Sequence, residues 1–187
     1  MGLCGRAGAA YQRIRAADPE ALVVAAGLAP TNENSARAVD DRDFLRAMYQ
    51  AGAAECFDVL AAHDYGYGLL PDDAYGVHDG LNLAHLLDLR HIMLEHSDDK
   101  PVWITELGYT VQPGLHPHVS PGAQADYLAG AFEHVRREWP WVDMLAVWNL
   151  SYGQSLDDEV RAEMAGFSVV YPDLSPRLAC YVLQLME

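Results

Sequence analysis

Pro101-Val102-Trp103-Ile104-Thr105-Glu106-Leu107-Gly108-Tyr109 is the stretch that decides the fold. Val102, Trp103 and Ile104 are β-branched or aromatic, and Pro101 and Gly108 bound them, so the run reads as a short, buried, parallel strand. A carboxylate, Glu106, stands at its end. Side chains alternate along a strand, which predicts that Val102, Ile104 and Glu106 share one face. Two apolar residues below an acid at the C-terminal tip is the pattern of a layered barrel interior with a reactive group at its mouth.

Working outward, three more apolar runs read as strands: Ala21 to Leu28, Phe57 to His63, and Met144 to Asn149. Helical spacing lies between them. Ala9 to Ala17 predicts a helix ending before Asp18-Pro19. Phe44, Leu45, Met48 and Tyr49 predict a second, stopped at Gly52. Leu83, Leu86, Leu87, Met93 and Leu94 form the stripe of a long third helix. Ser120-Pro121 is an N-cap and first-turn pair opening a fourth, which ends before Trp139-Pro140. Loops are expected at 64–80 and from 150 to about Gly166, and a closing helix over Leu178 to Met186. The strands start near 22, 59, 102 and 144, that is 37, 43 and 42 residues apart. Even β-α alternation of this kind argues for a parallel sheet with right-handed crossovers. A small open doubly wound sheet and part of a (β/α)8 barrel both fit. The nucleotide-binding open sheet wants a glycine-rich turn after its first strand, and Leu28-Ala29-Pro30-Thr31 is not one. A whole barrel takes about 250 residues.

Composition narrows the function. The chain has 187 residues, 51% hydrophobic and 21% charged, as in a globular domain with a sizeable core. Its net charge of −15 is spread along the chain. That charge opposes phosphate backbones and anionic lipid, so neither nucleic acid nor membrane is an expected partner. Cys4, Cys56 and Cys180 are far apart and odd in number, which supports neither a disulfide framework nor a zinc site. Cys56 reads as a buried small hydrophobe. Seven of the histidines, at 78, 85, 91, 96, 116, 118 and 134, fall on helix faces or in loops. His116-Pro117-His118 lacks a third metal ligand, so no metal and no cofactor are expected. The N-terminus shows neither a signal-peptide core nor a myristoylation pattern, and says nothing of location.

All four strands end in something polar or aromatic: Thr31-Asn32-Glu33, His63-Asp64-Tyr65, Glu106 and Trp148-Asn149. Parallel strands gather these tips on one side, where barrels carry their active sites. His63 and Tyr65 are two apart and share a face. For His63 and Trp148, a satisfied histidine and a core aromatic are the alternative readings.

Trp103 to Tyr109, His63-Asp64-Tyr65, Val147-Trp148-Asn149 and the Phe167 to Ala179 segment together resemble clan A glycoside hydrolases. These are the (β/α)8 barrels that include cellulases and β-xylosidases. The resemblance runs over about residues 10 to 185. It implies an α/β fold, a partial TIM barrel made of strands five to eight with their helices, as a single domain over 1–187. It implies a retaining mechanism on β-linked sugars, with Glu106 the nucleophile. Tyr65 would donate a hydrogen bond that keeps Glu106 ionised, and His63 would hold the nucleophile or a sugar hydroxyl. Trp148 would stack on the sugar, with Asn149, Tyr67 and Tyr109 as further substrate-binding residues.

Retaining hydrolysis needs a second carboxyl about 5–5.5 Å from the first. In the resembled family it belongs to a Trp-Asn-Glu-Pro motif after strand four, which this sequence lacks. Asn32-Glu33 is a decoy, because one strand rather than two separates it from the Glu106 strand. Glu33 is therefore expected to be a loop residue. The expectation is a nucleophile half with little hydrolytic activity alone, either a truncated fragment or a half that pairs with a missing N-terminal half or self-associates. The rival expectation is a non-catalytic carbohydrate-binding or self-assembling half-barrel module.

Overall fold

The structure is a computed structural model that describes residues 3–77, 81–153 and 159–186. Parts of both expected loops, including His78, and the side chain of Cys4 lie outside the described residues. Three parallel strands, β1 (Leu60–His63), β2 (Val102–Leu107) and β3 (Val142–Val147), form a sheet in the order β1-β2-β3. Helices alternate with them: α1 (Leu3–Ala17), α2 (Asp41–Gln50), α3 (Leu86–Glu95), α4 (Pro121–Glu138), α5 (Glu159–Gly166) and α6 (Leu178–Gln184).

Residues 21–28 run beside β1 but make only isolated parallel bridges, Val24 to Val59 and Leu28 to Ala62, rather than the full strand expected. A side chain competes for the ladder. The Val23 amide donates to Asp58 Oδ2 at 2.7 Å, and Asp58 Oδ1 accepts from Tyr11 and Arg15 of α1 at 3.0 and 2.7 Å. Asp58 thus pins both the ribbon and the first helix to the start of β1.

Each helix is set by local chemistry. Asp40 caps α2 by accepting from the Arg42 amide at 2.9 Å, and Asp41 and Asp43 place negative charge in its positive first turn. Ser120 caps α4 by accepting from the Ala123 amide at 3.1 Å, with Pro121 in the first turn and Arg136 and Arg137 in the last. A 3-10 turn at Leu83–His85 precedes α3, so the expected long helix is shorter than its apolar stripe. The loop expected up to Gly166 contains α5, whose sequence has no strong apolar periodicity to announce it. α6 closes the chain against α4.

Burial along β2 corrects the expected alternation. Val102, Ile104 and Leu107 are 0% exposed, within a core shared with Leu86, Leu89, Ile92 and Met93 of α3 and Leu128, Ala131 and Val135 of α4. Trp103, Thr105 and Glu106 are half-buried on the other side. Glu106 therefore does not share a face with Val102 and Ile104. The cause is a register shift: Ala62 pairs with Ile104 but His63 pairs with Glu106, leaving Thr105 as an extra residue. Such a bulge resets the alternation, so two consecutive side chains face the same way. The open side of the sheet is also where β3, half-buried along most of its length, runs as an edge.

Candidate active site

The tips of four neighbouring ribbons are laced together by backbone. His63 N donates to Leu28 O at 2.8 Å, Asp64 N to Glu106 O at 2.8 Å, and Trp148 N to Leu107 O at 2.7 Å. On this frame Tyr65 Oη donates a short hydrogen bond to Glu106 Oε2, and His63 Nδ1 lies 3.4 Å from the same oxygen. His63 and Glu106 side chains are each 23% exposed, so the carboxylate is held yet reachable. Burial, and then the bond to Glu106, push the Tyr65 phenol well above its ordinary pKa. The phenol therefore stays a donor, which favours the charged form of its acceptor.

Aromatic rings surround the pair. Phe167 meets Tyr65 edge-on at 5.5 Å, and Tyr67 lies 6.2 Å from Tyr65. Tyr67 sits at φ 46°, a left-handed conformation unusual for a tyrosine. Its ring is also 5.3 Å from that of His116. Trp148 is half-buried at the end of β3, joined to Asn149 by a cis peptide bond. Its carbonyl lies 2.5 Å from where a Cβ on Gly108 would be. Asn149 Oδ1 accepts from Ser168 Oγ at 3.1 Å, and its Nδ2 is buried with no partner among the described residues.

Tyr109 is elsewhere. It is 2% exposed, its ring lies against Gly66 and edge-on to Tyr127 at 5.3 Å, and no sugar can reach it. The expected substrate contact is a core residue. Glu33 is in an exposed loop, accepting from Ser35 Oγ. Among the described residues the polar partners of Glu106 are Tyr65 and His63, and no second carboxyl joins them. Among the described residues, no group of three or more potential metal ligands occurs, and no helix is long and apolar enough to cross a membrane. Cys56 and Cys180 are free and half-buried.

Two neighbours of the site have no role assigned from the sequence. Gly27 is one: a Cβ there would lie 2.2 Å from His63 Nε2 and 3.0 Å from Thr105 Oγ1. Asp64 is another. It is 1% exposed, neither carboxylate oxygen has a hydrogen-bond partner among the described residues, and burial followed by the charge of Asp41 drives its pKa well up. Asp41 itself is buried against His85 Nε2 at 2.7 Å. A carboxyl whose folded pKa is raised binds its proton more tightly folded than unfolded. Its contribution is therefore complete below the unfolded value and is lost as pH rises through the folded one. Asp64→Asn keeps the shape and cannot ionise. Its stability relative to the parent chain should grow above about pH 4, by up to about 1.4 kcal/mol per pH unit, until the raised pKa is passed. Urea unfolding at a series of pH values measures this; parallel curves for the two proteins would refute it.

No family model and no curated protein matches the sequence. Solved structures do. A family 39 glycoside hydrolase from Bacteroides cellulosilyticus WH2 superposes with a TM-score of 0.70 at 19% identity, over 97% of this chain and 37% of that one. The fold is that of part of that protein. The β-glucuronidase of Bacteroides uniformis follows with a TM-score of 0.58 at 18% identity, over 93% of this chain and 19% of that one. That of Bifidobacterium dentium has 0.54 at 22%, over 94% and 25%. The chain thus spans about a third or less of the length of these proteins, and the likeness is one of fold.

Proposed function

We propose that this chain carries the nucleophile half of a retaining glycoside hydrolase acting on β-linked sugars. The observation that supports this reading best is the Tyr65–Glu106–His63 constellation at the open mouth of a parallel sheet. Glu106 attacks the anomeric carbon, the leaving-group oxygen departs with the bonding pair, and a glycosyl-enzyme ester forms. Tyr65 keeps its proton and donates to the spectator oxygen. Water then releases the sugar. Phe167, Tyr67 and Trp148 supply the apolar and aromatic surface that a pyranose face wants. The acid/base comes from outside the described site, with the partner half of the barrel; the edges at 21–28 and β3 are where that half, or a second copy, completes the sheet. The domain over 1–187 is then one part of a catalytic barrel.

A leaving group that needs no proton bypasses the missing acid. The test is therefore to incubate the chain with 2-deoxy-2-fluoro β-glycosides of glucose and xylose bearing dinitrophenolate, and to map any adduct by peptide mass spectrometry. A covalent adduct on Glu106 is expected. Its absence alongside measurable sugar binding would overturn the assignment. The second reading, a non-catalytic carbohydrate-binding module, would then lead, and it draws support from the lack of a second carboxyl beside Glu106 among the described residues.

Gly27 provides a further check. In Gly27→Ala the new methyl must displace the His63 ring, the flexible partner in that contact. Trapping should slow by roughly 10- to 100-fold, the scale of a misplacement of about 1 Å, with little change in stability. An unchanged trapping rate would remove His63 from the mechanism.

A further inference from the structure

Glu163 of α5 is 0% exposed, and its carboxylate is spent entirely on two consecutive residues of the loop after β2. Oε2 accepts from Leu115 N at 3.0 Å, while Oε1 accepts from His116 N and from His116 Nδ1, each at 2.9 Å. Burial alone would raise the Glu163 pKa, but these hydrogen bonds outweigh it and hold it below the usual range, so the group is an anion. The same loop is tied down again by Thr110, whose hydroxyl donates to Glu163 O at 2.9 Å. Gln124 adds two more bonds, to Tyr109 O at 2.7 Å and Gly166 O at 3.0 Å. Three buried polar side chains thus fix one short loop.

What they fix is the His116 ring. It remains 45% exposed and packs 5.3 Å from Tyr67, which in turn neighbours Tyr65 and so Glu106. A carboxylate can only accept, so Nδ1 of His116 carries the hydrogen. In the neutral ring Nε2 then carries the acceptor lone pair. A lone pair beside an aromatic face suits a sugar hydroxyl. It does not suit a carboxylate, which the net charge of −15 also repels.

We propose that His116, positioned by Glu163, and Tyr67 form a subsite for a second, neutral sugar ring next to the one at Glu106. This rests on the reading that the Glu106 cleft binds sugar. It makes the preferred ligand a neutral β-linked disaccharide or longer chain.

The experiment is calorimetry on the full 187-residue chain with glucose, xylose, cellobiose and xylobiose, together with long-range 1H–15N spectra of the histidine rings. One disaccharide should bind about fivefold or more tighter than its monosaccharide, and it alone should shift His116 Nε2. His116→Ala, in an exposed loop, should remove that increment while leaving monosaccharide affinity within about twofold. Glu163→Gln offers one acceptor oxygen where three donors need two, and should do the same with loss of the Nδ1–H signature. Monosaccharide binding with no disaccharide increment, or an increment that survives His116→Ala, would overturn the subsite alone. A His116-dependent preference for a glucuronate-bearing disaccharide would overturn its neutral-sugar assignment. Failure of every sugar to bind would overturn the reading of the Glu106 cleft as well.

Discussion

Glu106→Gln should abolish covalent trapping by activated fluorosugars, by a factor on the order of 10⁴ or more, the loss seen when a group that makes or activates the reacting bond is removed. The substitution is nearly isosteric, so Tyr65 keeps a hydrogen-bond acceptor and the cleft keeps its shape. Sugar affinity measured by calorimetry should stay within a few-fold. This pairing of outcomes is what separates a nucleophile from a scaffold residue. If Glu106→Gln were still labelled at the parent rate, another side chain would be the nucleophile and the assignment would fail. If it lost sugar binding together with labelling, Glu106 would be a structural anchor of the cleft. Tyr65→Phe should fall between these extremes, because it removes the donor whose raised pKa keeps it protonated beside the carboxylate.

Gly66→Ala should be the most disruptive small substitution. A Cβ there would lie 1.9 Å from Tyr109 Cε1 and 2.1 Å from Cζ, and Tyr109 is almost wholly buried. Gly66 is not at positive φ, so the cost is one of space rather than of backbone conformation. Forcing a methyl against a ring that cannot leave costs about 3 kcal/mol, the upper range for overpacking a core. For a chain of this length that lowers the melting temperature by roughly 6–12 °C. Because Gly66 directly follows Tyr65, the same change should also impair trapping. Combining it with Tyr109→Leu vacates the space, and the two substitutions should cost less together than separately. Strict additivity in thermal melts would refute the contact.

How much was legible in the sequence differs from place to place for physical reasons. β2 and α4 were readable because their signals are local: a β-branched run between breakers, and Ser120-Pro121 ahead of apolar residues at helical spacing. The nearness of His63, Tyr65 and Glu106 followed from parallel strands ending on one side. Four things were not readable. The bulge at Thr105 depends on pairing across strands, which no single segment reveals. The weakened pairing of 21–28 depends on Asp58 taking an amide from 35 residues away. Tyr109 was expected in the cleft because it closes the Trp103 to Tyr109 segment that carries the resemblance, and only the packing of Gly66 and Tyr127 shows it turned inward. Glu163 lay in a stretch without periodicity, so its buried clasp on His116 had nothing to announce it.

The extra residue in β2 has one more consequence. Val102, Ile104 and Leu107 are buried against the helices, while Trp103, Thr105 and Glu106 are half-buried on the side where Glu106 meets Tyr65. Within six consecutive residues, the positions that hold the chain together and those that would face a ligand in the proposed reading are disjoint sets. Selection can therefore change what the cleft recognises without first renegotiating the core, and a lineage of such proteins can diversify its chemistry while its folding stays conserved.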